Sequence, residues 1–149
     1  MSASSDDQPP KPPLAPTSKP SRGNRAAGLQ IVERYGGGGF KVSGVRYEGS
    51  VLVGATRTLA WPAARIADLS DLSSGAPVES LAGFLESARP RLLIIGCGPR
   101  LEGRSTVLDA QMRQRGVAVE WMDTGAACRT FNVLALEGRE VAAALIAVD

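Results

Sequence analysis

The side chains able to do chemistry in this chain fall into two short stretches. One runs Met122-Asp123-Thr124-Gly125-Ala126-Ala127-Cys128-Arg129-Thr130-Phe131-Asn132 and the other is Gly96-Cys97-Gly98. The first reads as a strand end, a capped helix start and a helix whose residues are mostly small or apolar, interrupted by Arg129, Thr130 and Asn132. Polar side chains on so apolar a helix need partners, because burying one unpaired costs about 1–3 kcal/mol. A helix start offers free amides and a partial positive charge, which suits an anion. Arg129 lies just inside that helix and Asn132 follows one turn later on the same face. On this reading a carboxylate or phosphate sits beside Thr124 and Thr130. The structural alternative pairs Arg129 with Asp123 or Glu137 and has Asn132 tie down a neighbouring loop.

The Gly96-Cys97-Gly98 loop follows an apolar run and precedes a helix, and the next strand ends at Asp123, 25 residues after Gly98. That order imitates a dinucleotide-binding unit, in which glycines admit a pyrophosphate and an acidic residue binds ribose. The motif fails at Leu101, where a third glycine belongs, and Pro99 removes an amide donor. A tight turn is the simpler reading, and no cofactor is expected. The run Gly36–Gly39 lacks the Lys-Ser/Thr pair of a phosphate-binding loop and reads as a flexible hairpin tip.

The chain has no histidine among its 149 residues. Triads, general bases and metal sites built on imidazole are therefore excluded, and two cysteines are too few for a structural zinc site. Cys128 at a helix start would have its thiolate stabilised, yet with no base to activate it the residue reads as small buried filler. Cys97, in a loop, is expected to be the more accessible of the two. Any catalysis would have to rest on Asp, Glu, Cys, Lys, Tyr or Arg, and a non-enzymatic role is expected.

Residues 1–28 contain six of the ten prolines and Leu14 as their one large aliphatic. Such a segment buries too little apolar surface to offset its ordering entropy, so a disordered tail is expected, followed by a single domain over 29–149. Lys11, Lys19, Arg22 and Arg25 against Asp6 and Asp7 give the tail the whole net charge of +2. The domain is formally neutral, and with no basic stripe it does not read as a nucleic-acid binder. No run of about 20 apolar residues spans a membrane. No signal or import segment is read at the N-terminus, and two cysteines without framework spacing suit a reducing compartment. A cytoplasmic location is expected.

The elements that must position these residues follow from the apolar pattern. Strands are expected at 29–34, 40–42, 45–47, 50–53 and 58–60, broken by Gly-containing turns in the manner of a β-meander. Residues 63–77 read as loop, 78–88 as an amphipathic helix closed by Pro90, and 92–95 as a buried strand. A helix over 105–115, capped by Ser105 or Thr106, leads to a strand over 117–122. The helix over 125–136, with Asp123 or Thr124 as its cap, leads to a last strand over 141–148. The fold class expected is α/β, a layered domain with a mixed central sheet flanked by helices and preceded by a β-meander.

Between Leu29 and Ile146 the chain resembles a known family of small α/β domains. The resemblance rests on Tyr35-Gly36 through Phe40, Gly44 with Tyr47, Gly49-Ser50-Val51-Leu52 and Trp61. It continues through Leu93-Ile94-Ile95-Gly96-Cys97-Gly98, Met122-Asp123-Thr124 and Ala127-Cys128-Arg129-Thr130-Phe131-Asn132-Val133-Leu134. Glu137-Gly138-Arg139 and Val141–Ile146 complete it. The family has no assigned biochemical activity, and its eukaryotic members include mitochondrial complex I assembly factor 3. Cys97 and Phe131 replace hydroxyl-bearing residues more usual in the family. What the resemblance implies is a layered mixed-sheet fold and a chaperone-like, non-enzymatic role. It implies binding subunits of respiratory NADH dehydrogenase, with membrane contact at the inner face made through that partner. The rival expectation is an anionic small-molecule binding domain or enzyme whose site lies where Gly96, Gly98, Asp123, Thr124 and Arg129 converge, with Thr130 and Asn132 beside them.

Overall fold

The computed structural model describes residues 28–69 and 75–149. The expected tail lies outside the described residues, apart from Gly28, as does part of the expected loop at 70–74. Three strands, β1 (Val32–Gly36), β2 (Gly39–Val42) and β3 (Val45–Glu48), form an antiparallel sheet in that order. Two two-residue turns join them. Gly37 and Gly38 have φ of 63° and 81°, and Ser43 and Gly44 have 45° and 88°. Turns with two positive φ values match the twist of antiparallel strands, which is why Gly is placed there. Ser43 is the exception, and its hydroxyl compensates by accepting from Ile31 N at 2.9 Å and donating to Leu29 O at 3.1 Å.

Those two bonds also move the start of β1 three residues past the expected boundary, since Leu29 O and Ile31 N find their partner in the Ser43 hydroxyl rather than in a strand. The glycine tip differs from expectation too. Gly38 N donates to Val148 O at 2.8 Å and Gly38 O accepts from Gly49 N at 2.7 Å, while Arg46 donates to Gly36 O and Gly37 O. The tip is pinned from three sides.

The second sheet has five strands in the order β5-β4-β8-β6-β7, where β4 is Ser50–Val53, β5 Thr58–Trp61, β6 Leu92–Gly96, β7 Ala118–Met122 and β8 Val141–Leu145. Strand β8 runs antiparallel to β4 and parallel to β6, and β6 runs parallel to β7, so the sheet is mixed as expected. Helix α1 (Ala76–Ala88) starts before Val78 because Pro77 suits a first helical turn. Helix α2 (Thr106–Gln114) is capped by Ser105, and α3 (Thr124–Leu136) by Asp123.

Side chains alternate across the sheet into two cores. Leu52, Leu93, Ile95, Ala142 and Ala144 face α1, α2 and the 3-10 turn Ile66–Leu69. Val51, Val53, Ile94, Ala143 and Leu145 face α3 and the three-stranded sheet. Strand β8 reads Val-Ala-Ala-Ala-Leu and is buried throughout. Alanine is a poor strand former in isolation, but at the centre of a sheet covered on both faces its small side chain lets the layers close.

Candidate functional site

The parallel strands β6 and β7 end side by side, with Gly96 opposite Met122, and Gly96 is also opposite Leu145 of β8. The Gly96-Cys97-Gly98 loop, the start of α3 and the exit from β8 therefore meet at one end of the sheet. Thr124 joins all three. Its hydroxyl donates to Ile146 O at 2.7 Å and accepts from Gly98 N at 3.0 Å, and its own amide donates to Gly98 O at 2.8 Å. Cys97 N donates to Met122 O at 2.8 Å, and Ile146 N donates to Gly96 O at 3.0 Å. Thr124 is 0% exposed, and burial without such partners would cost more than the contacts return.

The glycines follow from this closeness. A Cβ on Gly96 would lie 3.0 Å from the Thr124 Cα and 3.1 Å from its Oγ1. Gly98 has φ of 110°, a conformation side chains resist. Both loop amides that would cradle a phosphate, those of Cys97 and Gly98, are bonded inward.

At the start of α3 the Asp123 carboxylate accepts from Ala126 N at 2.8 Å, and Ala127 N donates to Asp123 O. With Thr124 N also bonded, three of the first four helix amides have partners within the fold. Tyr35, 44% exposed, lies over Gly125, where a Cβ would overlap its hydroxyl. Sequence reasoning did not connect Tyr35 to this helix, and only the small residue at 125 hinted at a close neighbour.

Asn132 is placed apart from that junction. Its side-chain oxygen accepts from Val32 N at 2.9 Å and its amide donates to Val32 O at 2.8 Å. The carboxamide thus acts as a strand neighbour for β1, beside the point where the β1–β2 register shifts between Val32 and Arg34. Thr130 is half-buried, and Arg129 is exposed with no ion pair or hydrogen bond among the described residues. The expected pairing of Arg129 with Asp123 or Glu137 is not formed: Glu137 pairs with Arg139 at 3.5 Å instead. Gly96, Gly98, Asp123 and Thr124 are therefore brought together, while Arg129, Thr130 and Asn132 lie along the helix beyond them.

Both cysteines are free and buried, on opposite faces of the sheet. The expected accessibility of Cys97 does not hold, because its loop is folded back by Met122 and Thr124. Burial raises the Cys97 thiol, and it pushes Cys128 up to about 12 although the Arg129 charge pulls it down. Neither is a ready nucleophile at neutral pH. Among the described residues no group of three or more Cys, Asp or Glu is placed to hold a metal ion, and no helix is long and apolar enough to cross a membrane.

The outer face of α3 is the other notable feature. Arg129, Val133 and Leu136 recur at spacings of four and three, the repeat of one helix face. Val133 is 55% and Leu136 63% exposed. That spacing was legible in the sequence, but not which face the sheet would cover.

The chain is similar to NADH dehydrogenase (ubiquinone) 1 alpha subcomplex assembly factor 3 of Xenopus tropicalis, with 37% identity over 122 residues, covering 81% of this chain and 63% of that protein. It spans about three-fifths of the length of the vertebrate assembly factors it matches. An uncharacterized protein of Rhodobacter capsulatus is 32% identical over 120 residues, 80% of this chain and 86% of that one. Among solved structures, a Mth938-like domain of Bordetella pertussis superposes with a TM-score of 0.70 at 28% identity, covering 87% of this chain and 92% of that chain. The α/β architecture is thus the Mth938-like fold. Residues 32–146 match the family described as Protein of unknown function (DUF498/DUF598), and the chain belongs to that family.

Proposed function

We propose that this chain is a non-enzymatic, protein-binding assembly factor that assists assembly of respiratory NADH dehydrogenase, acting in the cytoplasm at the inner face of the membrane and reaching the membrane through its partner. The similarity to proteins named as assembly factors of that complex supports the reading. The observation that carries it to this molecule is the outer face of α3, where Val133 and Leu136 stay exposed beside Arg129. Exposed aliphatics in a row on one helix suit protein contact. At the strand ends, by contrast, the polar groups bond one another. The test is cross-linking and affinity capture of the tagged full chain in its own host, together with a deletion strain. Recovered NADH dehydrogenase subunits, lost with Val133→Asp/Leu136→Asp, are the expected result. No such subunits, with normal enzyme levels in the deletion strain, would refute the proposal.

The rival reading is an anionic-ligand site at the Gly96–Gly98 loop and the 124–129 helix start. One observation favours it: Arg129 is exposed beside a helix start and has no ion pair among the described residues. Inorganic phosphate should then raise the melting temperature of the wild type and not that of Arg129→Ala.

A further inference from the structure

We infer that the groove between α1 and α2, together with the arginine-lined basin at its end, binds an acidic amphipathic segment of a partner protein. This rests on the protein-binding reading above and names the chemistry of the partner. Val78, Leu81 and Leu85 of α1 and Met112 of α2 line a cleft of about 290 Å³, with Gln111 and Gln114 on its rim. Leu85 and Arg115 also line a neighbouring basin of about 540 Å³ together with Glu86, Arg89 and Arg91, so cleft and basin adjoin. Gly116 and Val117 also border a third depression, lined by Arg104, Asp109 and Arg113.

The charges here are uneven. Arg91 pairs with Glu140 at 2.8 Å and Arg104 with Asp109 at 3.2 Å. Arg89, Arg113 and Arg115 form no ion pair among the described residues, and Glu86 is the basin's own acid. Arg89 caps α1 in the left-handed conformation, with φ of 49° and its N–H on Leu85 O. Gly or Asn is the usual residue at such a position, so the arginine is held there against a conformational cost. The helix dipoles of α1 and α2 favour cations at these ends. That alone explains a stability effect but not an apolar cleft beside the basin.

An amphipathic segment would place its apolar side chains in the cleft and its carboxylates on the arginines. The chain's own residues 1–27 carry +2, the wrong sign to complement the basin, and a second copy in a symmetric contact brings the same basin. A nucleic acid needs a longer basic track than three free arginines, and a flat lipid surface cannot enter a cleft.

The experiment titrates the ¹⁵N-labelled full chain with a peptide of two Leu-Glu-Glu-Leu-Leu-Glu-Ala repeats. Saturable shifts are expected at the amides of Ala82, Leu85, Arg89 and residues 111–116. Arg89→Glu/Arg115→Glu should weaken the peptide about tenfold or more, as loss of complementary charge does, and Lys41→Glu, exposed on the three-stranded sheet, should leave affinity unchanged. A merely dipolar role would lower stability without altering affinity, which overturns the inference. So would no saturable shift, equal binding of the Lys-for-Glu peptide, or tighter binding of single-stranded RNA or phosphatidylglycerol vesicles at the same arginines. In the capture experiment, subunits recovered equally by wild type and Arg89→Glu/Arg115→Glu overturn the basin assignment alone. No recovery by the wild type overturns the assembly reading alone, and the peptide titration still decides the basin.

Discussion

Replacing Thr124 by Val removes one hydroxyl from the centre of the strand-end junction while keeping the shape of the side chain. In the variant, Gly98 N loses its acceptor at 3.0 Å and Ile146 O its donor at 2.7 Å. Both residues are buried, so water does not replace the missing partner. At about 1–3 kcal/mol for each stranded group, and allowing some relaxation of the loop, the loss is about 3 kcal/mol. For a domain of this size that lowers the melting temperature by about 12 °C, at about 4 °C per kcal/mol. Thr124→Ser keeps the hydroxyl and loses one methyl, which costs about 1 kcal/mol. Urea unfolding followed by the fluorescence of Trp61 and Trp121 measures both, and an unchanged m-value assigns the shift in midpoint to stability. Thr124→Val no less stable than Thr124→Ser would refute the claim that hydrogen bonding, rather than packing, closes this end of the sheet.

Three further predictions test neighbouring features. Asn132→Leu should cost about 2 kcal/mol by stranding Val32 N and O, and hydrogen exchange should show the Val32 amide losing protection before the rest of the domain. Gly96→Ala should be destabilised by about 2–3 kcal/mol because backbone of α3 lies 3.0 Å from the new methyl and cannot yield. Gly125→Ala should be milder, since the side chain of Tyr35 can swing outward, and a comparison of urea midpoints decides between the two. Cys128 provides a pH signature, because its folded thiol titrates near 12 against an ordinary 9.0. Folding then holds a proton that the unfolded chain releases, so the contribution of Cys128 is full below pH 9 and falls by up to about 1.4 kcal/mol per pH unit above it. Cys128→Ala should flatten stability against pH over that range relative to wild type, and identical slopes would contradict the assignment.

Much of the architecture was legible in the residues because its signals are local. Asp123 and Ser105 cap helices through amides three residues away, and paired turn residues with positive φ mark both hairpins of the three-stranded sheet. Apolar runs and their spacing gave every strand and α-helix its place in the order, but not the 3-10 turn Ile66–Leu69, which falls in the stretch read as loop. Boundaries slipped where a side chain from elsewhere replaced a strand neighbour, as Ser43 does before β1 and Ser50 does after β8, accepting from Ala147 N at 2.9 Å.

The roles of the candidate residues were not legible in the same way. Thr124, Asn132 and Arg129 look alike as polar interruptions of an apolar helix. Their difference lies in partners 22, 26 and 100 residues away, and in the absence of a described one for Arg129. By itself, then, the sequence determined the class of fold, the glycine turns, the helix caps and the lack of imidazole chemistry, all matters of residue type and short spacing. Tertiary structure decided which polar groups are consumed in holding the sheet together and which faces of α1, α2 and α3 remain open to a partner. A hydrogen bond or a buried face depends on what the rest of the chain brings alongside, and no local spacing carries that information.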